Sequence, residues 1–212
     1  MRKIVNDPYR RYALKYDTFV EPFNSVIRQI GIKSFPVKAG MKVLDVGCGT
    51  GTNLALYHKA GCLVHGIDLS PSMLEVARNK LGEHADLRVG DASEMPYQDN
   101  FFDLVTSMFT LHEMPYMIRP QVMKEMIRVM SREGRILLTD YHPGPIRFPK
   151  GWMFKAIILF FEMVAGREHF KNYRDFLKRQ GLTGLIDAFK LVVEKKKVVS
   201  GGNIALFIVR PA

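Results

Sequence analysis

A chain of 212 residues and 24.2 kDa is the size of one domain, or of one domain carrying a small subdomain. Hydrophobic residues at 47% and charged residues at 25% exclude a disordered, collagenous or coiled-coil chain. Two cysteines, Cys48 and Cys62, are too few for a disulfide framework and suit a reducing compartment. The net charge of +10 is unevenly spread: residues 1–106 hold 13 Lys/Arg and 12 Asp/Glu, whereas residues 107–212 hold 18 and 9. A basic half of this kind suits contact with a phospholipid surface, a nucleic acid or an acidic substrate, although a solvated basic face reads the same. No apolar run reaches the roughly 18 to 20 residues that span a bilayer, and Met1–Pro8 lacks the apolar stretch of a signal peptide. A cytoplasmic protein is expected, peripheral to an anionic membrane if the basic half meets lipid.

Residues 8–30 read as one or two short helices broken near Pro22, and a Pro/Lys/Gly linker closes at Gly40. From there strands and helices alternate. Val43–Val46 is a short apolar strand, followed by a glycine-rich loop and a helix to about Ala60. Leu63–Ile67 is a second strand. Ser70-Pro71 then opens a helix, with Ser70 as N-cap and Pro71 in the first turn, striped by Met73, Leu74, Ala77 and Leu81. Leu87–Val89 and Phe102–Ser107 are the third and fourth strands. Met123, Met126, Ile127 and Met130 stripe the next helix, and Ser131–Gly134 turns into a fifth strand, Ile136–Thr139. Such alternation gives right-handed crossovers and a parallel sheet covered on both faces.

The end of the chain differs. Leu191–Val199, a turn at 200–203 and Ile204–Val209 read as an antiparallel hairpin. Before it, Trp152–Ala165 contains only two charged residues, Lys155 and Glu162, seven apart and so on one helical edge. At 14 residues this stretch is too short to span a bilayer. It reads as a lid helix, apolar because it covers something apolar, with plain core packing as the alternative.

Chemistry begins at Val43-Leu-Asp-Val-Gly-Cys-Gly-Thr-Gly51. Glycines at 47, 49 and 51 between strand and helix let the main chain turn tightly and approach a ligand. The dinucleotide fingerprint wants its third glycine one place later, where this chain has Thr52. Asp45, just ahead of the loop, would repel a pyrophosphate and welcome a cationic ligand; a cap for the loop backbone is a compatible role. S-adenosylmethionine carries an ammonium, a sulfonium and no phosphate. Asp68 ends the second strand 17 residues beyond Gly51, where a carboxylate accepts from both ribose hydroxyls. Asp91 follows the third strand, placed to meet an adenine amine. Each acid alone reads equally as a strand-end cap, but the ordered set at successive strand ends marks a ligand crevice.

Together with Gly66-Ile-Asp-Leu-Ser70, Gly90-Asp-Ala92, Phe102-Asp-Leu-Val105 and Glu125–Asp140, this pattern resembles the class I S-adenosylmethionine-dependent methyltransferases. It is most similar to the ubiquinone/menaquinone-biosynthesis (type 11) group. The resemblance implies a Rossmann-like, doubly wound α/β fold with a seven-stranded sheet, mostly parallel, whose last strand is antiparallel. It implies a methyltransferase using S-adenosyl-L-methionine, with cofactor contacts at Asp45, Gly47, Gly49, Asp68, Leu69, Asp91 and Ala92. Cys48, Gly51, Asn53, Met73, Ser107 and Met108 join that set. An N-terminal segment similar to Tyr12–Asp17 closes over the cofactor in such enzymes, which points to Tyr16. The domain divides into an N-terminal helical cover (1–39), a cofactor-binding core (40–142), a helical lid or substrate insert (143–190) and the hairpin (191–212).

Methyl transfer is an in-line displacement for which the cofactor carries the activation, so the protein aligns the partners and excludes water. A hydroxyl or acidic-carbon nucleophile also wants a base. His112, leaving the fourth strand in Ser107-Met-Phe-Thr-Leu-His112, is the first candidate, and His142, with Tyr141 at the end of the fifth, the second. An amine or thiol acceptor needs neither. Trp152, Phe160, His169 and Tyr173 are the candidate substrate contacts. No short metal-ligand spacing is present, and the Asn/Asp-Pro-Pro-aromatic motif of nucleobase amino methyltransferases is replaced by Ser107-Met-Phe-Thr. The expected acceptor is a small apolar or amphiphilic molecule, such as a quinone precursor or lipid amine. The alternatives are an RNA methyltransferase drawn by the basic half, and a non-catalytic cofactor-binding subunit.

Overall fold

The computed structural model describes residues 7, 9–11 and 13–212; Met1–Asn6, Pro8 and Tyr12, on which part of the N-terminal expectation falls, lie outside the described residues. Five parallel strands, β1 (Lys42–Val46), β2 (Leu63–Asp68), β3 (Ala85–Val89), β4 (Phe102–Met108) and β5 (Met130–Tyr141), form most of one sheet. The hairpin of β6 (Val192–Val199) and β7 (Ile204–Arg210) completes it, with β7 inserted antiparallel between β5 and β6. The spatial order is β3-β2-β1-β4-β5-β7-β6. Strand order therefore reverses between β1 and β4, and the crevice outside the carboxyl ends of these two strands is where a doubly wound sheet binds its ligand.

Alternating side chains build two cores. Leu44, Val46, Phe207 and Val209 meet α4 (Arg119–Val129) through Val122, Met123, Met126 and Val129. The same core receives Phe176 of α6 (Arg167–Lys178) and Leu182, Leu185 and Ile186 of α7 (Gly181–Ala188). On the opposite face, Val43, Val64, Leu206 and Ile208 meet Leu54 and Tyr57 of α2 (Thr52–Lys59) and Leu74, Ala77 and Leu81 of α3 (Pro71–Leu81). This is the two-faced burial that parallel strands require. Ser70 caps α3 as its sequence predicts, its Oγ accepting from the Met73 N–H at 3.1 Å. The exposed edge strand β6 carries Lys195, Lys196 and Lys197, charges that discourage edge-to-edge pairing.

Two local expectations are corrected. Pro22 does not break the N-terminal helix: α1 runs unbroken from Ala13 to Ser34. Pro22 and Thr18 both lie on its exposed side, so the carbonyl that loses its intrahelical donor faces solvent. Ser131–Gly134 is not a turn between helix and strand. Met130 already pairs with Phe102, and the intervening residues form a bulge in β5 before Arg135 pairs with Leu104.

Candidate active site

At the switch point, Asp45 of β1 lies opposite Thr106 of β4 and is 2% exposed. One carboxylate oxygen accepts from Asn53 Nδ2 at 3.2 Å; the other has no partner. Burial drives its pKa up to about 7, against the Asn53 hydrogen bond and the Arg28 charge. Ser107 Oγ, near the end of β4, is likewise buried and unpartnered. The glycine loop turns here through left-handed backbone at Gly47, Gly49 and Gly51. A Cβ on Gly47 would collide with the Thr110 side chain, so only glycine fits. The Asp68 carboxylate accepts from the Gly49 N–H at 2.8 Å and the Ser70 N–H at 2.9 Å. Burial raises its pKa to about 6, although those two donors oppose the rise.

The N-terminal segment closes over this loop. Asp7 accepts from the Ser70 hydroxyl and from the Ser72 N–H and hydroxyl at the start of α3. Tyr9 donates to Glu113 at 2.8 Å, and its ring meets Tyr16 edge-on at 6.0 Å. Asp17 takes the Thr50 hydroxyl and the Lys80 ammonium, both at 2.6 Å.

A second polar cluster lies beyond the ends of β4 and β5. His112 is 2% exposed. Its N–H and Nδ1 meet the two oxygens of Asp140 at 3.2 and 2.7 Å, and its Nε2 stands 3.5 Å from Glu162. Burial opposes charge on His112, but Asp140 and Glu162 outweigh it and lift the pKa to about 10. Glu162 belongs to α5 (Lys150–Val164) and is 4% exposed, with His169 Nε2 at 3.0 Å on its other side. Burial would raise the Glu162 carboxyl, yet the two histidines hold it at about 2. Tyr141 stacks obliquely on His112 at 4.6 Å, and Tyr173 meets Tyr141 edge-on at 5.1 Å while accepting from Lys155 at 2.7 Å. The loop after β4 joins the two regions: Thr110 packs on Gly47, while Glu113 meets Tyr9 and His112 meets Asp140. Phe109 in that loop is held at φ 55°, a strained conformation for a bulky residue.

A methyltransferase-domain family model matches residues 44–138. The demethylmenaquinone methyltransferase of Bacillus mycoides (strain KBAB4) is 36% identical over 191 residues, covering 81% of this chain and 76% of that protein. The chain belongs to the class I S-adenosylmethionine-dependent methyltransferases, type 11 group. Solved structures share the fold of this methyltransferase at low identity. A SAM-dependent methyltransferase from Aquifex aeolicus has a TM-score of 0.65 at 20% identity, covering 96% of this chain and 98% of that one. The PH0226 protein from Pyrococcus horikoshii OT3 has 0.68 at 18%, covering 95% and 99%. The cofactor is S-adenosylmethionine, and the residues present fit it. A cationic ligand without phosphate answers the two unpartnered polar atoms of Asp45 and Ser107 where a pyrophosphate would meet a buried acid.

The methyltransferase brings most of the residues expected from sequence to this crevice, with different surroundings. Asp45, Gly47, Cys48, Gly49, Gly51, Asn53 and Asp68 form the loop cradle, and Ser107 with Met108 forms the β4 side. Leu69 is exposed and Met73 is buried in the first turn of α3. Asp91 accepts from its own Ser93 N–H and hydroxyl, with Ala92 buried between them. His142 is held at the hairpin turn, its Nδ1 accepting from the Gly144 N–H at 3.1 Å and its main chain pairing with Asn203. Its contacts are with those residues and Gly202, not with the His112 cluster.

The lid expectation is inverted. Lys155 and Glu162 do share one edge of α5, but that edge faces inward and the apolar face points to solvent. Trp152 and Phe160 are each 60% exposed. Sequence reasoning missed Arg28, which is bonded to Glu21 and reaches Met108, and it missed the roles of Asp7, Glu113, Asp140 and Glu162. One signal for Glu162 was present: a lone acid in an apolar helix needs a buried partner. No short metal-ligand spacing occurs in the sequence, and His112, Glu162 and His169 come together from three separate segments.

Proposed function

We propose that this enzyme transfers the methyl group of S-adenosylmethionine to a small apolar or amphiphilic acceptor of quinone-precursor type, taken up at an anionic membrane surface. When bound, the cofactor supplies a methyl group activated on sulfonium. Asp45 faces its cationic end, Asp68 its ribose, and Asp91 with Ala92 its base, while the segment from Asp7 to Asp17 closes over it and excludes water. The acceptor lies against a wall of Phe109 and Tyr141, aromatic rings that suit a flat ring, with the buried His112 and Tyr173 packed behind Tyr141. His112, its ring nitrogens turned to Asp140 and Glu162, fixes the shape of that wall in this reading and is not the base that takes the acceptor's proton. His142, tied to the hairpin turn, plays no part in this reading.

The observation that carries the acceptor class is the outward apolar face. Trp152, Met153, Phe160, Phe161, Met163 and Val164 of α5 are exposed beside Leu14, Phe19, Phe23 and Val26 of α1, with Phe23 and Phe161 in edge contact at 5.5 Å. Contiguous exposed patches of this kind mark contact sites. Arg167, Lys171, Arg174 and Lys178, with Glu168 and Asp175, line an open groove on the neighbouring α6, a net positive charge of the sign an anionic headgroup layer attracts. No described helix is long and apolar enough to cross a membrane, so contact is with the surface. The named function of the Bacillus mycoides relative agrees with a quinone-type acceptor.

The test is transfer of a labelled methyl group to demethylated quinones presented in phosphatidylglycerol vesicles, alongside sedimentation with those vesicles. Labelled quinone, together with co-sedimentation that Trp152→Ser/Phe160→Ser weakens, is expected. Label appearing instead in RNA from an extract, or no vesicle binding at low salt, overturns the reading.

A further inference from the structure

We propose that His112, Glu162 and His169 form a binding site for one divalent transition-metal cation, zinc being the best match to two imidazoles and a carboxylate. One ligand atom from each residue lies within 4.8 Å of the other two. The Glu162 oxygens stand 3.5 Å from His112 Nε2 and 3.0 Å from His169 Nε2. Ligands about 2.0–2.2 Å from a tetrahedral zinc are separated by roughly 3.4 Å, so little movement is needed to close the set on an ion.

Three further features point to a ligand. Glu162 Oε2 is buried and makes no hydrogen bond, although His169 Nε2 is 3.0 Å away; the contact has the spacing of co-ligands without the direction of a hydrogen bond. Asp140 holds His112 Nδ1 at 2.7 Å and so turns Nε2 toward Glu162. A carboxylate behind a histidine is the arrangement that orients metal-bound imidazoles. His169 alone of the three is partly exposed, its side chain at 18%, which leaves an entry path for an ion. Lys155, on the same edge of α5, is occupied by the Tyr173 hydroxyl.

Such an ion would fasten α5 and α6 to the loop after β4, and so set the position of the acceptor wall. The site stands on its own geometry and does not depend on which acceptor is methylated. The experiment strips the full-length protein with chelator and titrates Co2+, following visible absorbance, then displaces it with Zn2+. One equivalent bound with an intense tetrahedral-type band, bleached by zinc, is expected. In His169→Gln the affinity falls at least about tenfold, and zinc no longer raises the melting temperature as it does in the parent. Glu162→Gln serves as a second variant if it folds. Absence of the band, or cobalt affinity unchanged in His169→Gln (an ion held elsewhere, as at the stacked His58–His84 pair), overturns the proposal.

Discussion

Replacing Asp45 with asparagine is expected to stabilise the ligand-free enzyme while crippling it. The carboxyl is buried, has one hydrogen-bond donor for its two oxygens, and titrates near 7 instead of 3.8. A group that holds its proton more tightly folded than unfolded favours folding at low pH. Above about pH 4 the unfolded chain gives up that proton and the folded chain does not, so stability falls until about pH 7 and is level beyond. The difference between 3.8 and about 7 corresponds to about 4 kcal/mol, an upper bound that relaxation reduces. The substituted amide has no such titration, and Asn53 retains a partner by turning its own amide. Urea unfolding of parent and Asp45→Asn from pH 5 to 8 isolates the effect as a difference between the two. The variant should gain on the parent as pH rises, by a few kcal/mol at pH 8, and adenosylhomocysteine should bind it about 10 to 100-fold more weakly for want of the charge. An Asp45→Asn protein no more stable than the parent at pH 8, or one that binds the ligand normally, would refute the reasoning. Exchange of stability for function at a ligand site has precedent in general mutational behaviour.

Asp68→Ala removes the acceptor of the Gly49 and Ser70 N–H groups and should weaken adenosylhomocysteine binding by about 1–3 kcal/mol by calorimetry; an unchanged dissociation constant would place the ribose elsewhere. Arg119 is 1% exposed and spans the Leu111 carbonyl, the Asn172 carbonyl and Asp175. Arg119→Ala leaves these acceptors stranded between α6 and the loop carrying His112. It should cost about 3 kcal/mol, read as a lowered melting temperature, and an unaltered melting curve would show that the network carries no net stability.

The sheet and glycine loop were legible because their signals are local. Val43–Val46 is apolar but for Asp45, Gly47, Gly49 and Gly51 sit where the backbone needs positive φ, and Ser70-Pro71 announces a helix start. The polar cluster was not legible, since Asp140 is 28 residues from His112 and meets it only through the β4–β5 pairing. The closing segment was half legible. Tyr16 was expected there, but the anchors are Asp7 on Ser72, Tyr9 on Glu113 and Asp17 on Lys80, pairings that no periodicity encodes. Pro22 misled for a related reason: a proline interrupts a helix only when its orphaned carbonyl has nowhere to turn, and sequence does not say which side meets water.

Helix α5 shows how far such reasoning reaches. Its composition fixes that Lys155 and Glu162 share an edge, but not which way the edge faces. In water the ordinary outcome turns charges outward and buries phenylalanines, because each ion taken from solvent costs several kcal/mol. Here Glu162 is buried between two histidines and Lys155 is bonded to Tyr173, so partners supplied by the loop after β4 and by α6 offset that cost. Among the described residues, the apolar face left outside has no such compensation. Burying one large apolar side chain contributes roughly 1.5–3 kcal/mol, and α5 alone exposes six. An inside-out helix is therefore held by its ion pairs and leaves its apolar side chains in water, an exposed surface that the proposed contact with lipid would cover.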